Sequence, residues 1–168
     1  MELLNKLIQE IQQELQLRLC DESFSRIEKC LHYLDDEQIW YAPSEHINSI
    51  GNLVLHLEGN INQWLLDGFF GISYVRMRDE EFSARKSHTK IELLSIISLL
   101  KIDIESLIYK INIDLLLAEK TIQSYFQVSG FSIISHVIEH SSYHTGQIAQ
   151  LTKWMRNGQV GFYDDLEL

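Results

Sequence analysis

The sequence HVIEHSSYHTGQI, residues 136–148, sets three histidines four positions apart. Residues i and i+4 of an α-helix lie on one face, so His136, His140 and His144 would share a helical face. Histidine is the commonest metal ligand at neutral pH, and two imidazoles at this spacing can reach one ion. The stretch therefore predicts a helix and a metal site on that helix.

Apolar residues continue the helical period on both sides of this stretch. They predict a fourth helix from about Phe131 to Arg156. The face that carries His140 and His144 also carries Ile133, Val137, Gln147, Ile148 and Leu151. We therefore expect both histidines to point into the protein interior. A buried imidazole needs a partner for its nitrogen, and a metal ion would supply one.

Three further helices are predicted upstream, and no helical pattern follows Asn157-Gly158. Helix one covers about Glu2 to Leu34, with an irregularity at Cys20-Asp21-Glu22. Helix two starts at an Asn48 N-cap and ends near Gly68, and helix three covers about Thr89 to Leu117. Four long helices predict an all-α four-helix bundle, and the length fits a single domain over residues 1–168.

The connections between these helices are long. Trp40 to Pro43 predicts a loop, because proline does not fit inside a helix. Phe69 to Ser87 has no clear period and predicts an irregular crossover. Between helices three and four, Thr121 to Val128 alternates weakly, which indicates an extended crossing strand before a turn at Ser129-Gly130. The bundle is thus expected to have long crossover connections.

Composition excludes several functions. The formal net charge of −10 would repel a phosphate backbone, so no nucleic-acid partner is expected. No apolar run approaches the roughly 20 residues that span a bilayer, so neither a membrane anchor nor a signal peptide is expected. Cys20 and Cys30 lie about 15 Å apart along one predicted helix, too far for a disulfide. Both are expected to be thiols of a cytoplasmic protein.

A third metal ligand is needed from another helix, because two histidines do not complete a site. Of the histidines outside helix four, His56 lies in the middle of a predicted helix and borders its apolar stripe. A metal ion on His56, His140 and His144 would keep a coordination position for water or substrate, as catalytic metals do. Taken alone, a mid-helix histidine such as His56 is more often a satisfied core or surface residue than a ligand.

Two strings carry a family resemblance: NSIGNLVLHLEGN, residues 48–60, and HVIEHSSYHTGQI. They resemble the signature segments of the DinB-like superfamily of metalloproteins, which includes the YfiT-type proteins. In that superfamily a histidine on helix two joins a His-x-x-x-His pair on helix four, followed closely by Gly-Gln, around a divalent metal. His56, His140 and His144 match those positions, with Gly146-Gln147 behind them.

The sequence segments on either side of helix two resemble one branch of this superfamily. The reaction of that branch is not known. Trp40 and Pro43 precede the helix, and Gly71…Arg76-x-Arg78…Glu81-Phe82 follows it. The resemblance implies the DinB/YfiT-like bundle fold. From the residues alone, Arg76 and Arg78 could bind an acidic substrate or form a surface ion pair.

The resemblance implies several activities. Superfamily members are linked to thiol transfer, with bacillithiol, mycothiol or glutathione, and to isomerisation. We expect a metal-dependent transferase of the thiol S-transferase type or a hydrolase, acting on a small molecule. The alternative is a non-enzymatic metal-binding or interaction protein that retains the fold and the three histidines. Three neutral imidazoles favour zinc or nickel in our interpretation, and the amphipathic helices favour a homodimer.

Metal-bound imidazoles normally donate their second N–H to an oxygen acceptor. The candidates for such supporting groups are Gln147, Asn60, Glu58 and Glu139. His136 lies a turn before the histidine pair, and one helix does not easily direct three successive turns at one ion. We therefore expect His136 to be a polar neighbour of the site. The sequence assigns no catalytic residue and predicts no cofactor besides the metal.

Overall fold

Eight α-helices and one antiparallel hairpin form residues 1–164, the part of the chain that the computed structural model describes. The elements are α1 (Glu2–Leu15), α2 (Ser25–His32), α3 (Asp36–Ile39), α4 (Ile50–Ile61), α5 (Arg78–Ser83), α6 (Lys90–Leu107), α7 (Ile113–Leu117), β1 (Glu119–Ile122), β2 (Phe126–Ser129) and α8 (Gly130–Arg156). π-Helical segments follow α1 (Gln16–Phe24) and α4 (Asn62–Phe69), and a 3₁₀ turn follows α6 (Ile108–Lys110).

Helix one is formed by α1, the π-helical segment and α2 in succession. The predicted irregularity at residues 20–22 lies inside the π-helical segment, where hydrogen bonds join residues i and i+5. The Ser23 hydroxyl donates to the Arg18 carbonyl oxygen at 2.8 Å, again five residues back. Leu15, Leu19 and Phe24 are fully buried, so the wider turns keep the apolar side chains of this segment in the core.

Helix two begins one residue later than predicted. Ser49, not Asn48, is the N-cap of α4, and it forms a capping box with Asn52. The Ser49 hydroxyl accepts from the Asn52 backbone N–H at 3.2 Å, which satisfies a backbone donor that the first helical turn leaves unpaired. The Asn52 amide also donates to the Glu81 carbonyl oxygen at 2.8 Å and fixes the crossover to this end of α4.

The prediction that helix three extends to Leu117 is wrong. α6 ends at Leu107, a 3₁₀ turn follows, and Asn112 caps the separate helix α7 by accepting from the Leu115 N–H at 3.0 Å. Ile111 and Leu116 are both buried, so the apolar period continues across the break. A burial pattern does not distinguish one long helix from two helices that pack on the same core.

The predicted crossing strand is a hairpin. β1 pairs with β2, with Glu119 opposite Ser129 and Ile122 opposite Phe126. The turn between them holds Gln123 and Ser124 at φ values of 55° and 57°, a left-handed conformation without glycine. The crossover of residues 69–87 is irregular except for the short helix α5.

The four long helical units pack as the predicted all-α bundle, with the two strands as an appended hairpin. α8 lies against α2, α4 and both π-helical segments, and α4 also packs against α6. Val137 and Ile148 of α8 are fully buried in the shared core. Among the described helices, none combines the length and the apolar character needed to cross a bilayer. The single domain over 1–168 stays a prediction, since residues 165–168 lie outside the described part.

Candidate metal centre

The structure brings His56 of α4 together with His140 and His144 of α8. One nitrogen of each ring lies within 4.8 Å of the other two, and the Nε2 atoms of His56 and His140 are 3.0 Å apart. His56 is buried, with 6% of its surface exposed, while His140 and His144 are partly buried. A group of this kind could hold a metal ion.

The local sequence explains these positions. Nearly every residue of α4 is buried, so His56 faces protein whichever way its ring turns. On α8, Val137, Ser141 and Thr145 lie in the core beside the histidines. One helical turn separates His140 from His144, which directs both rings to the same side of α8. The packing of α8 on α4 then brings the three rings together.

His56 is held by an acidic residue that the sequence did not predict as part of the site. Its Nδ1 lies 2.9 Å from Oε2 of Glu81 in α5. Arg76 donates to the same carboxylate twice, from Nε at 2.6 Å and from the terminal nitrogen Nη2 at 2.8 Å. Arg76 also donates to Oε1 of Gln63 at 3.0 Å. Glu81 therefore joins His56 to a buried hydrogen-bond network.

The arginines of the crossover have different surroundings. The Arg76 side chain is only 4% exposed, so its ion pair with Glu81 is buried. The pair is therefore not the surface ion pair that we considered from the sequence. Arg78 places its guanidinium 4.9 Å from the centre of the Phe82 ring, a cation–π contact. The Phe82 ring in turn lies 4.8 Å from the His56 ring.

Gly59 makes room for this network. A Cβ atom at this position would lie 2.9 Å from the Glu81 carboxyl carbon and 3.0 Å from Arg76 Nε. Both contacts are closer than real Cβ atoms comfortably allow, and Glu81 is held by its partners. The glycine in α4 is therefore explained by the close approach of the ion pair to the helix backbone.

The charge of Glu81 favours one tautomer of His56. Burial alone would raise the pKa of Glu81, but hydrogen bonds from Arg76 and His56 outweigh burial, and the pKa lies below its ordinary value. A carboxylate accepts hydrogen bonds, so the 2.9 Å contact with Glu81 favours the proton on Nδ1 of His56, while the donor Nη2 of Arg76 lies 3.1 Å from the same atom. In that tautomer Nε2 of His56 carries a lone pair and lies 3.0 Å from Nε2 of His140.

Gln147 provides the corresponding hydrogen bond to Nδ1 of His144. Its Oε1 lies 2.7 Å from Nδ1 of His144, which makes Nδ1 the protonated nitrogen and leaves Nε2 free. Metal-ligating histidines characteristically have an oxygen acceptor on the second nitrogen. Two of the three rings thus have the supporting hydrogen bond that a metal ligand requires.

Burial keeps the α8 histidines neutral. It lowers the pKa of His140 to about 3, with further lowering from the neighbouring rings of His144, His56 and His136 and from Arg76. Burial also lowers the pKa of His144, although the hydrogen bond with Gln147 acts in the opposite direction. At neutral pH both rings are in the uncharged form that binds metals.

His136 lies beside the cluster. Its ring packs against Trp64 in a tilted arrangement with centroids 4.0 Å apart, and its Nε2 lies 3.3 Å from Nδ2 of Asn60. Burial lowers the pKa of His136 below its ordinary value. Asn60 is 4% exposed, and its Oδ1 has no hydrogen-bond partner among the described residues. The expected polar neighbours His136 and Asn60 therefore contact each other.

The remaining candidates do not contact the three rings by any hydrogen bond among residues 1–164. Glu58 is partly buried and lines a separate cavity of about 420 Å³ with Tyr74 and His88. Burial raises the pKa of Glu58 above its ordinary value. Glu139 is exposed, and its negative charge acts through space to raise the pKa of His136 and His144.

The arrangement of the helices defines a fold class. Among solved structures, the fold is similar to a crystal structure of a DinB-like protein from Bacillus cereus ATCC 10987, with a TM-score of 0.63. The two chains share 14% sequence identity, and the match covers 80% of this chain and 86% of that one. The protein thus has the DinB-like fold, as the resemblance in the sequence implied.

The family follows from the sequence. The chain belongs to the family described as "Protein of unknown function (DUF1572)", whose model matches residues 8–162. No protein of curated function matches the sequence. The family description names no reaction, so a function for this chain has to be inferred from the site itself.

Proposed function

We propose that His56, His140 and His144 bind a divalent metal ion and that the protein is a metal-dependent enzyme acting on a small molecule. The observation that carries this proposal is the approach of one nitrogen from each ring to within 4.8 Å of the others. The Nδ1 partners of His56 and His144 support it, because they leave Nε2 free on both rings. Three imidazole nitrogens suit zinc or nickel.

The protonation states support the proposal independently of the distances. Three imidazoles in one buried cluster cannot all take up a second proton, because the three positive charges would repel one another in a poorly solvated place. The pKa of His140 near 3 follows from this surrounding. The rings of His140 and His144 are therefore ready to bind a cation without first losing a proton at neutral pH.

Of the candidate reactions, we favour transfer of a low-molecular-weight thiol to an electrophilic carbon. A divalent ion on three protein ligands would supply an open position and lower the pKa of a bound thiol or water. In thiol transfer the sulfur forms a bond to carbon, the leaving group departs with its electron pair, and the thiol proton passes to solvent. Hydrolysis of an ester or amide is the second reaction that such a site would support.

The chain's own residues would position this chemistry. Glu81 and Gln147 orient the rings of His56 and His144 through their Nδ1 atoms. Phe82 and Trp64 provide aromatic surfaces beside His56 and His136. These apolar surroundings limit access of water to the site, which strengthens its electrostatic interactions.

Metal analysis tests the site. We would measure zinc and nickel in untagged protein after soaking and dialysis, for the wild type, His56→Ala and His144→Ala. The matched control is His32→Ala, an exposed histidine at the end of α2. We expect about one ion per chain in the wild type and control and loss in both site variants. A wild type that binds neither metal would overturn the proposal.

Turnover assays test the reaction. The metal-loaded protein is incubated with chlorodinitrobenzene and glutathione or bacillithiol, and separately with nitrophenyl acetate. Thiol-dependent product above that of His144→Ala supports transfer, and ester cleavage above the same control supports hydrolysis. Metal binding without either product, followed across a wider set of thiols and electrophiles, would favour the non-enzymatic metal-binding protein.

We also propose that the protein is a homodimer of the cytoplasm. Leu3, Leu4 and Leu7 of α1 are exposed, by 82%, 39% and 56%, and a second copy could cover them. Cys20 and Cys30 are buried free thiols, which suits a reducing compartment. Light scattering after size-exclusion chromatography tests the dimer, and a monomer mass at micromolar concentration would exclude it.

A further inference from the structure

A second feature of α8 is an open cavity whose wall includes Gln147. The cavity has a volume of about 480 Å³ and lies between α8 and the residues that precede α4. This volume is in the range that proteins use for small ligands. Its walls include Ile47, Asn48, Tyr143, Gly146, Gln147 and Gln150.

Gly146 in the wall of this cavity has no structural explanation of its own. It lies inside α8, where glycine is the least favourable residue apart from proline. A Cβ atom built on it would meet no atom within 4 Å, and its backbone has no positive φ. Gly59, by contrast, has Glu81 and Arg76 directly above it. The absent side chain at Gly146 leaves space in the cavity.

The walls are mainly apolar, and part of that apolar surface is exposed. Ile47 is 46% exposed and Tyr143 is 59% exposed, while Leu53 lies below them with 3% of its surface accessible. Exposed apolar side chains around a concave surface are typical of binding sites.

The polar side chains of the wall are three carboxamides, the hydroxyl of Tyr143 and one histidine. Asn48, Gln147 and Gln150 each offer N–H donors and an oxygen acceptor. In the described part of the chain no Asp, Glu, Lys or Arg lines the cavity. His46 is 85% exposed and lies 3.3 Å from Glu45, so its ring is directed to solvent and to that carboxylate. A charged ligand would therefore find no carboxylate, ammonium or guanidinium group with which to pair in the part of the wall that the structure describes.

We infer that this cavity binds an uncharged, mainly apolar small molecule with one hydrogen-bonding group, such as an aryl amide, alcohol or ketone. The apolar part lies against Ile47, Leu53 and Tyr143, and the polar group meets a carboxamide of Gln147 or Gln150. This inference rests on the cavity alone and does not require the proposed metal. A ligand here would nevertheless lie against Gln147, whose Oε1 accepts from His144.

Nuclear magnetic resonance titration of the full chain tests the inference. The probes are acetanilide, benzyl alcohol and cyclohexanone, with benzoate and benzylammonium as charged counterparts of similar size. Backbone amide shifts of residues 146–151 are followed in metal-free and in zinc-loaded protein. Because the two forms are measured separately, a failure of the metal proposal does not affect the result for the cavity.

Gly146→Leu is the variant that fills the cavity, and Ser142→Leu is its control. Ser142 is an exposed residue of the same helix outside the cavity wall. The Ser142→Leu substitution therefore adds the same side chain to α8 without filling the cavity. Leucine favours a helix more than glycine does, so Gly146→Leu should fold. If it does not, Gln150→Trp at an exposed position of the wall blocks the same space.

We expect saturable shifts with at least two uncharged probes and at least tenfold weaker binding of both charged ones. The shifts should disappear in Gly146→Leu and persist in Ser142→Leu. Three results would each overturn the inference: no saturable shift with any uncharged probe, equal binding of the charged probes, or unchanged binding in the filled variant.

Discussion

The two helices that form the histidine cluster hold their rings in different ways. On α4, His56 is buried and its Nδ1 faces a carboxylate that a buried arginine also binds. On α8, His140 and His144 are partly buried, and a single neutral amide, Gln147, supports His144. The α4 half is therefore fixed by buried charge, while the α8 half depends on helix geometry and one hydrogen bond. Changes on the α4 side should damage the fold, and changes on the α8 side should mainly affect the metal.

The largest expected effect is that of Glu81→Ala. Removing this carboxylate leaves Arg76 buried without a counter-ion, which typically costs about 3–5 kcal/mol. Urea unfolding of the metal-free protein measures the loss, with the exposed neighbour Glu80→Ala as control. A loss below about 1 kcal/mol would mean that the ion pair behaves as a surface pair, and the contrast between the two halves would fail.

Gly59 of α4 and Gly146 of α8 provide a second test of the difference between the two helices. In Gly59→Ala the added methyl group displaces Glu81 or Arg76, and overpacking of this kind costs about 1–3 kcal/mol. In Gly146→Ala the methyl group enters open space, so the better helix propensity should stabilise the protein by up to about 1 kcal/mol. Thermal and urea unfolding give both values. Opposite signs are expected, and equal destabilisation would contradict the interpretation.

Gln147→Ala should act on the metal and spare the fold. Loss of an acceptor behind a metal-bound histidine typically lowers metal affinity about 10–100-fold. Gln147 is partly buried at the edge of a cavity, so the free energy of unfolding should change by less than about 1 kcal/mol. Competition with a zinc chelator measures affinity, and Gln150→Ala is the control. Wild-type zinc affinity in Gln147→Ala would show that His144 needs no support.

The last expected effect is a pH dependence of the α8 half. The pKa of His140 in the folded chain is about 3, below the ordinary 6.5. Between these two pH values the unfolded chain is protonated at His140 and the folded chain is not. Stability is therefore complete above about pH 6.5 and falls as the pH is lowered towards 3. The melting temperature of the metal-free protein should fall between pH 7.5 and about 5. A steeper fall in His140→Asn than in the wild type would contradict this.

Spacing within one helix was sufficient to predict His140 and His144 as a pair. His56 followed because its ring borders an apolar stripe in mid-helix, so the structure and the sequence agree on which three rings meet. Such residues are predictable because helix geometry relates sequence spacing directly to a face.

Glu81 was not predictable as a partner of His56. It lies 25 positions further on, in a crossover without a regular period. The sequence does carry one signal, because Arg76 and Glu81 are opposite charges five positions apart between two apolar helices. Spacing alone could not show that the pair is buried, since burial depends on how the crossover folds over α4.

The wrong parts of the predicted fold have a common origin. The end of α6 and the division into α7 were missed because buried residues occur on both sides of the break, so the period did not change. The hairpin was missed because its turn residues, Gln123 and Ser124, adopt left-handed conformations. Turns of this conformation usually contain glycine or asparagine, and neither is present here. The spacing of apolar residues predicts which side of a helix or strand is buried, but it does not predict where the chain changes direction.

The order of the residues along the chain also has a consequence for synthesis. The network of His56, Arg76 and Glu81 spans 25 positions, so all its members are synthesised before α8 begins. His140 follows 84 positions after His56, which is roughly 4–17 seconds of translation at typical rates. During that interval the chain contains His56 but neither histidine of α8, so it offers a passing ion no complete set of ligands.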